Sequence, residues 1–373
     1  MASADSHTLI PRRSAFSRMV RAVTSPYYRY RHAKVLHSLR VGVAMLVSIL
    51  ATTGIDIPHG IWSSVTLLVV IGGLQHHGNI RKKATERAAG TLLGATIGLG
   101  LILLQNLTGS LPLTYVLMSI VAGICAWFAI GSSGYIGLLT AITMCIVAGH
   151  GDNLIDVGLW RTLNVLIGIV IALAFSFALP LHATYSWRYG IAANLRECAR
   201  IYTRLLEGET ISEEEQVKRF LAINKRLVQL RSLMPSVAKE IDVPQAKLEE
   251  IQRLHRSLLS SLELLATGPL MHADAVARAA YARQCGEVSA VRAILLAMAR
   301  GLRFGRATHF GIPAASPLAQ RHGDAALKLP AELQGPYWLG QRLAEQVDRL
   351  REQLLETESN WNIERNSRMP VRG

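Results

Sequence analysis

IRKKATERAAGTLLGATIGLGLILL, residues 80–104, decides how the rest of the chain is read. It opens on Arg81, Lys82, Lys83 and Arg87, then becomes wholly uncharged, with Gly90, Gly94 and Gly98 four residues apart. On a helix that spacing sets three glycines on one stripe, so the backbone of a second helix can approach closely. Lipid supplies no hydrophobic drive for helices to associate, and close packing takes its place. A basic threshold followed by an apolar shaft reads as a membrane helix entering from the cytoplasm.

Charge divides the chain in the same way. Between Val41 and Pro180 the charged residues are Asp56, Arg81, Lys82, Lys83, Glu86, Arg87, Asp152, Asp156 and Arg161, whereas from Arg188 onward they recur throughout. A membrane half therefore precedes a polar half. The formal net charge is +14 over 373 residues. In a membrane protein such an excess reflects Lys and Arg retained on the cytoplasmic side, and no nucleic-acid motif accompanies it. The 4 cysteines are too few and too scattered for a disulfide framework, and no CxxC or His/Cys cluster points to a metal.

Residues 1–35 carry Arg12, Arg13, Arg18, Arg21, Arg29, Arg31 and Lys34 against one acid, Asp5. An apolar run begins only after them, too late for a cleavable signal peptide, and the segment reads as a basic cytoplasmic arm facing lipid headgroups. An Arg-rich, acid-poor start also has the character of an organellar presequence. Six apolar segments follow, near 39–55, 61–76, 87–107, 112–131, 133–150 and 158–180. Each is close to the roughly 17 to 25 residues that a spanning helix needs. Their connections alternate in charge, basic in the arm and at Arg81 to Arg87, acidic at 55–60 and 150–156. Both termini are therefore expected in the cytoplasm.

An internal repeat supports that topology. RAAGTLLGATIG from Arg87 and RTLNVLIGIVIA from Arg161 share Arg, then Gly90 or Asn164, then Gly94 or Gly168, then Gly98 or Ala172, and Thr66 and Thr140 share the same offset. With three spans in each copy, the second must lie inverted relative to the first.

The polar half reads as helical. Ser212 and Glu215 form a capping box. Behind them Phe220, Ile223, Leu227, Leu230 and Met234 make an apolar seam that Pro235 is expected to end. Seams recur at Ile251, Leu254, Leu258, Leu262 and Leu265, and at Leu339, Leu343, Val347, Leu350 and Leu354, and a compact bundle follows from them. Residues 305–336 read as a linker, and the end from Asn366 as disordered. The expected organisation is an arm over 1–35, a six-helix transmembrane domain over 36–182, a cytoplasmic helical domain over 183–365 and a tail over 366–373.

No phosphate loop, dinucleotide fingerprint, nucleophile elbow or zinc-protease motif occurs, so the chain does not read as an enzyme and calls for no cofactor or metal. The neighbours His150 with Asp152 and His272 with Asp274 read as loop residues. Informative charges stand at the membrane edges. Arg87 and Arg161 each head a small-residue stripe and, by the topology, lie at opposite membrane faces, where two cationic mouths suit a path for anions. The plainer reading makes each an interfacial anchor. Lys83 shares the helical face of Arg87, Lys82 points to phosphates, and Glu86 neutralises part of the cluster. Trp62, Trp127, Trp160 and Tyr135 suit an aromatic belt, and His59, His76, His77 and His150 offer groups that titrate near neutral pH.

GIWSSVTLLVVIGGLQHHGNIRKKATERAAGTLLGATIG, residues 60–98, resembles the fusaric acid resistance family of bacterial membrane proteins, which includes aromatic acid exporters and is related to plant aluminium-activated malate channels. The ordered set is Trp62, Thr66, Lys83, Arg87, Gly90, Thr91 and Gly94. The likeness continues through Arg161 and Asn164 to Pro180 and more loosely into the polar half. It implies an exporter or channel of organic anions in the bacterial inner membrane, acting as a dimer and in some members with a periplasmic adaptor. The candidate pathway residues are Arg87, Arg161, Lys83, Trp62, Thr66 and Asn164, and the candidate packing residues are Gly90, Gly94, Gly98 and Gly168. The rival reading is a non-transporting scaffold whose helical domain recruits a partner protein.

Overall fold

The computed structural model describes residues 26–73, 77–131, 134–149, 154–178, 180–208, 212–285, 288–310 and 329–363. His76, residues 150–153 with His150 and Asp152, the middle of the expected linker and the expected tail lie outside them, as do the side chains of His77 and Arg81. The described residues are helical, without a strand among them, and fall into two compact units that meet in sequence at Leu181 and His182.

The first unit contains α1 (Pro26–Arg31), α2 (Ala33–Thr53), α3 (Ile61–Ile71), α4 (His77–Thr108), α5 (Leu111–Ala129), α6 (Gly134–Ala148) and α7 (Ile155–Ala178). The end of the expected arm is thus already helical. Among the described residues four helices are long and apolar enough to cross a membrane: α2, α4 from Lys82, α5 and α7. With 11 residues in α3 and 15 in α6, these two are shorter than the ~20 that span a hydrocarbon core. The unit is inverted relative to a water-soluble bundle. Leu46, Leu50, Leu92, Leu93, Ile120 and Trp127 are exposed, while Arg40, Ser48, Ser63, Thr66, Arg87, Thr140 and Asn164 are buried. Lipid favours that distribution, because polar groups there must find partners inside the protein.

The glycine stripe seats α4 on α6. A Cβ on Gly90 would fall 2.7 Å from the Leu139 Cβ, one on Gly94 2.5 Å from the Thr140 carbonyl oxygen, and one on Gly98 2.9 Å from the Val147 Cβ. Both numberings rise together, so α4 and α6 run parallel. Likewise α7 lies parallel to α3, where a Cβ on Gly168 would collide with the Ser63 carbonyl and come within 3.0 Å of the Thr66 Cβ. Between α4 and α7 the order is reversed. Gly158 meets Leu99 and Ile102, while Ala84 shares a cluster with Ile169 and Ala172. The connected pairs α2–α3 and α5–α6 also pack together. Exchanging the first three long-segment helices (α2, α3, α4) for the last three (α5, α6, α7) maps this set of neighbours onto itself.

The second unit holds α8 (Ala183–Glu207), α9 (Glu213–Ile241), α10 (Gln245–Thr267), α11 (Pro269–His272), α12 (Ala275–Cys285), α13 (Val288–Phe304), a 3₁₀ turn (Ala307–Phe310), α14 (Ala331–Glu356) and α15 (Glu358–Trp361). Its core is of the ordinary kind. Phe220, Ile223, Leu227, Leu230 and Met234 are buried with Ile251, Leu258, Leu262, Leu343, Val347 and Leu350. The Ser212 hydroxyl accepts the Glu215 amide at 3.3 Å, opening α9.

Pro235 does not end this helix. It sits inside α9, which closes only at Asp242 in the left-handed conformation, φ 52°. A proline in a helix interior costs about 3 kcal/mol. Residue 235 faces outward, however, and the helix beyond it buries Val237 and Ile241, worth about 1.5 to 3 kcal/mol each. Pro336 is similarly enclosed, because α14 begins at Ala331, inside the stretch expected to be linker. The start of α8 is anchored from a distance. The Glu240 carboxylate accepts the Ala183 and Thr184 amides and the Thr184 hydroxyl, each at 2.9 Å.

Candidate functional site

The basic threshold of α4 sorts into three environments. Lys82 faces out and pairs with Glu86 at 3.6 Å. One residue on, Lys83 lies over the Tyr135 ring, 5.9 Å from its centre. Arg87 points inward and is 2 % exposed. Among the described residues its one hydrogen bond is donated to the Thr66 hydroxyl at 3.4 Å, and its Nε has no partner. Among the described residues no carboxylate pairs with it, and the neighbouring acid Glu86 pairs with Lys82. A guanidinium has five N–H donors, and burying it costs several kcal/mol unless they are met. Arg87 is therefore a buried guanidinium whose donors are largely unmet among the described residues.

The second arginine occupies the other end of the bundle. Arg161 donates to the Ile146 carbonyl near the end of α6, again with its Nε unpartnered. Reading levels from the α4–α6 and α4–α7 contacts places Arg161 beside residues 97–98 of α4. Arg87 and Arg161 are then roughly 15 Å apart along the bundle at 1.5 Å per residue. Asn164 is fully buried one turn from Arg161, its amide donating to the Pro58 carbonyl at 2.9 Å and the Trp160 carbonyl at 2.8 Å. Its Oδ1 has no partner, and neither do the buried hydroxyls of Thr91 and Thr143. Taken by level, the unpartnered atoms step from Arg87 through Thr91, Thr143 and Asn164 to Arg161.

Other candidates separate from this set. Trp62 packs against the apolar cluster that includes Ala44, Leu67, Val165 and Ile169. Trp127 and Trp160 face outward, as a belt requires, and His59 and Asp56 are exposed turn residues with positive φ. Asp274 accepts the Ala277 amide at 2.6 Å and opens α12. Cys125 and Cys198 are buried free thiols.

The sequence does not single out one buried charge, Arg40, which lies beyond the arm at 1–35 and at the start of the first apolar segment. Arg40 is 1 % exposed, with its guanidinium 2.9 Å from His37 Nδ1, and His37 Nε2 lies 3.2 Å from the Gly72 carbonyl. Because arginine only donates, Nδ1 accepts and Nε2–H donates, which ties α2 to the end of α3 through a neutral imidazole. Farther along the same hairpin the Ser48 hydroxyl meets those of Ser63 and Ser64, each at 3.0 Å. The signal in the sequence is the spacing of His37, Arg40, Ala44 and Ser48, three or four residues apart on one helical face.

An apolar exterior around buried guanidiniums and hydroxyls, with several helices long enough to cross a bilayer, defines an α-helical membrane protein that carries a second helical unit. The chain belongs to the fusaric acid resistance protein family, whose model matches residues 34–367 and so extends through both units. It is also similar to "Inner membrane protein YeeA" of Escherichia coli (strain K12), 34% identical over 235 residues. That match spans 63% of this chain and 66% of the relative's length.

Proposed function

We propose that the protein carries organic anions outward across the bacterial inner membrane, with carboxylates, aromatic ones included, as the substrate class. The observation that carries this reading is Arg87, a buried guanidinium that among the described residues has one long hydrogen bond and no carboxylate. A passing carboxylate takes two parallel N–H···O bonds from such a fork, and these charge-assisted bonds are about twice as strong as neutral ones. Arg161 offers the second cationic mouth, and Thr91, Thr143 and Asn164 supply polar atoms at the levels between them.

The interchangeable neighbour pattern supports an inverted repeat of three helices, with α3 and α6 as short passes sheltered against α7 and α4. Two antiparallel copies place Arg87 at the cytoplasmic mouth and Arg161 at the periplasmic one, with both ends of the chain in the cytoplasm. The relative's inner-membrane name supports the location. The test is anion flux by Arg87→Gln. Loss of flux with intact membrane assembly supports the assignment, and unchanged flux removes it.

A further inference from the structure

The long helix α9 has two seams, and the bundle uses one. Phe220, Ile223, Leu227, Leu230 and Met234 are buried inside the second unit. On the outer face Val217 is 57%, Leu221 63% and Val228 70% exposed. With Glu214, Asn224 and Arg231, all exposed, they recur at alternating steps of three and four, the spacing of a coiled-coil stripe. Among the described residues neither Glu214 nor Arg231 has an ion partner, since both are absent from the salt bridges of the chain.

We propose that this stripe is the docking surface for a second copy of the chain, with the two α9 helices antiparallel about a two-fold axis between residues 222 and 223. The stripe is complementary to itself only in that direction. Reversing it about this point lays Val217 against Val228 of the second copy, Leu221 against Asn224, and Glu214 against Arg231. Each contact occurs twice, as an isologous interface requires. A parallel pairing would instead set Glu214 against Glu214 and Arg231 against Arg231. The two Asn224 residues flank the axis about 4.5 Å apart in rise, and a polar residue at such a position fixes the register. Lys218 and Lys225 border the stripe. Their aliphatic stems cover it while the ammonium groups reach water, where salt screens their repulsion. Three apolar residues per copy make a modest contact, and confinement of both copies to one bilayer raises their effective concentration.

The pairing does not depend on what the membrane unit carries, and its test needs no substrate. In the full-length chain with native cysteines replaced by alanine, Val217→Cys and Val228→Cys are introduced singly and together in proteoliposomes and mildly oxidised. The double variant is expected to give a covalent dimer and the single variants none. In the antiparallel register position 217 faces 228, and it lies about 16 Å along the axis from its own counterpart, beyond disulfide reach. Glu214→Arg should lower the dimer fraction about fivefold, and adding Arg231→Glu should restore it. This charge swap decides the matter if the cysteine variants fail to assemble. The proposal is overturned if Val217→Cys alone cross-links as well as the double variant, or if the swap restores nothing. A folded double variant that stays uncrosslinked, whether its outer face is bare, rests on lipid or takes another protein, also overturns it.

Discussion

Arg87 and His255 show two ways of burying a group that water would otherwise hold. Among the described residues Arg87 makes a single 3.4 Å bond, to Thr66, and in the proposed function a carboxylate completes it. Arg87→Gln should cut carboxylate flux by about 10- to 100-fold, the loss expected for a buried charged hydrogen bond of 1.5 to 3 kcal/mol. Arg87→Lys keeps the charge without the fork and should fall between the two. His255 gives up its charge. It is wholly buried with both ring nitrogens unpartnered, and desolvation, helped by Arg226, pushes its pKa down to about 4 from 6.5. The unfolded chain therefore takes up this proton first. The contribution to stability is complete above about pH 6.5 and is lost as pH falls toward 4, a swing of about 3 kcal/mol. Thermal unfolding of the full chain in detergent, followed by tryptophan fluorescence between pH 7.5 and 4.5, should show that slope, and His255→Leu should flatten it.

At this scale the sequence was readable where spacing carries the meaning. Arg87 announces itself as the last charge before a glycine stripe. Arg40 does not, because an arginine at the start of an apolar run looks the same whether it snorkels to headgroups or turns in to bond His37. Burial depends on neighbours that arrive from elsewhere in the chain.

Helices in this protein are decided by packing wherever packing and local propensity disagree. Pro235, read as a stop, and Pro336, read as the end of a linker, both lie within helices, because the residues after them, Val237 and Ile241 in one case and Tyr337 and Leu343 in the other, are buried. The seams on α9, α10 and α14 were legible from their period alone, since an amphipathic helix repeats its buried face every three or four residues. The anchor on α8 was not. Glu240 and Thr184 are 56 residues apart, and no local rule joins them. Glu240→Ala strands two amides and a hydroxyl at a buried helix start, at a cost of about 2 to 4 kcal/mol, and should lower the melting temperature far more than Glu240→Gln, which keeps an acceptor. In the membrane unit Gly94 governs the closest approach of α4 to α6. Gly94→Leu drives a side chain into the Thr140 carbonyl and the Thr143 Cβ, and should reduce the detergent-stable folded fraction severalfold, read by size-exclusion chromatography.

Across the whole molecule the same alphabet serves two solvents. The first unit exposes leucines and buries arginine, serine and threonine; the second buries most of its leucines and exposes most of its charges. The family model runs through both. The all-helical class and the family were legible because hydropathy and an ordered motif survive without knowledge of contacts. The lengths of α3 and α6 were harder to read, since an apolar run does not say where a helix stops within it, and 11 and 15 residues resulted where fuller spans were expected.

The central claim, that buried Arg87 receives anions in transit, is tested most directly by flux. Purified protein and its Arg87→Gln variant would be reconstituted side by side in vesicles loaded with aromatic and aliphatic carboxylates, with and without a pH gradient. The account predicts selective carboxylate efflux through the parent and its loss in a variant that still assembles in the bilayer. Equal flux through both, or none through folded parent protein, would contradict it.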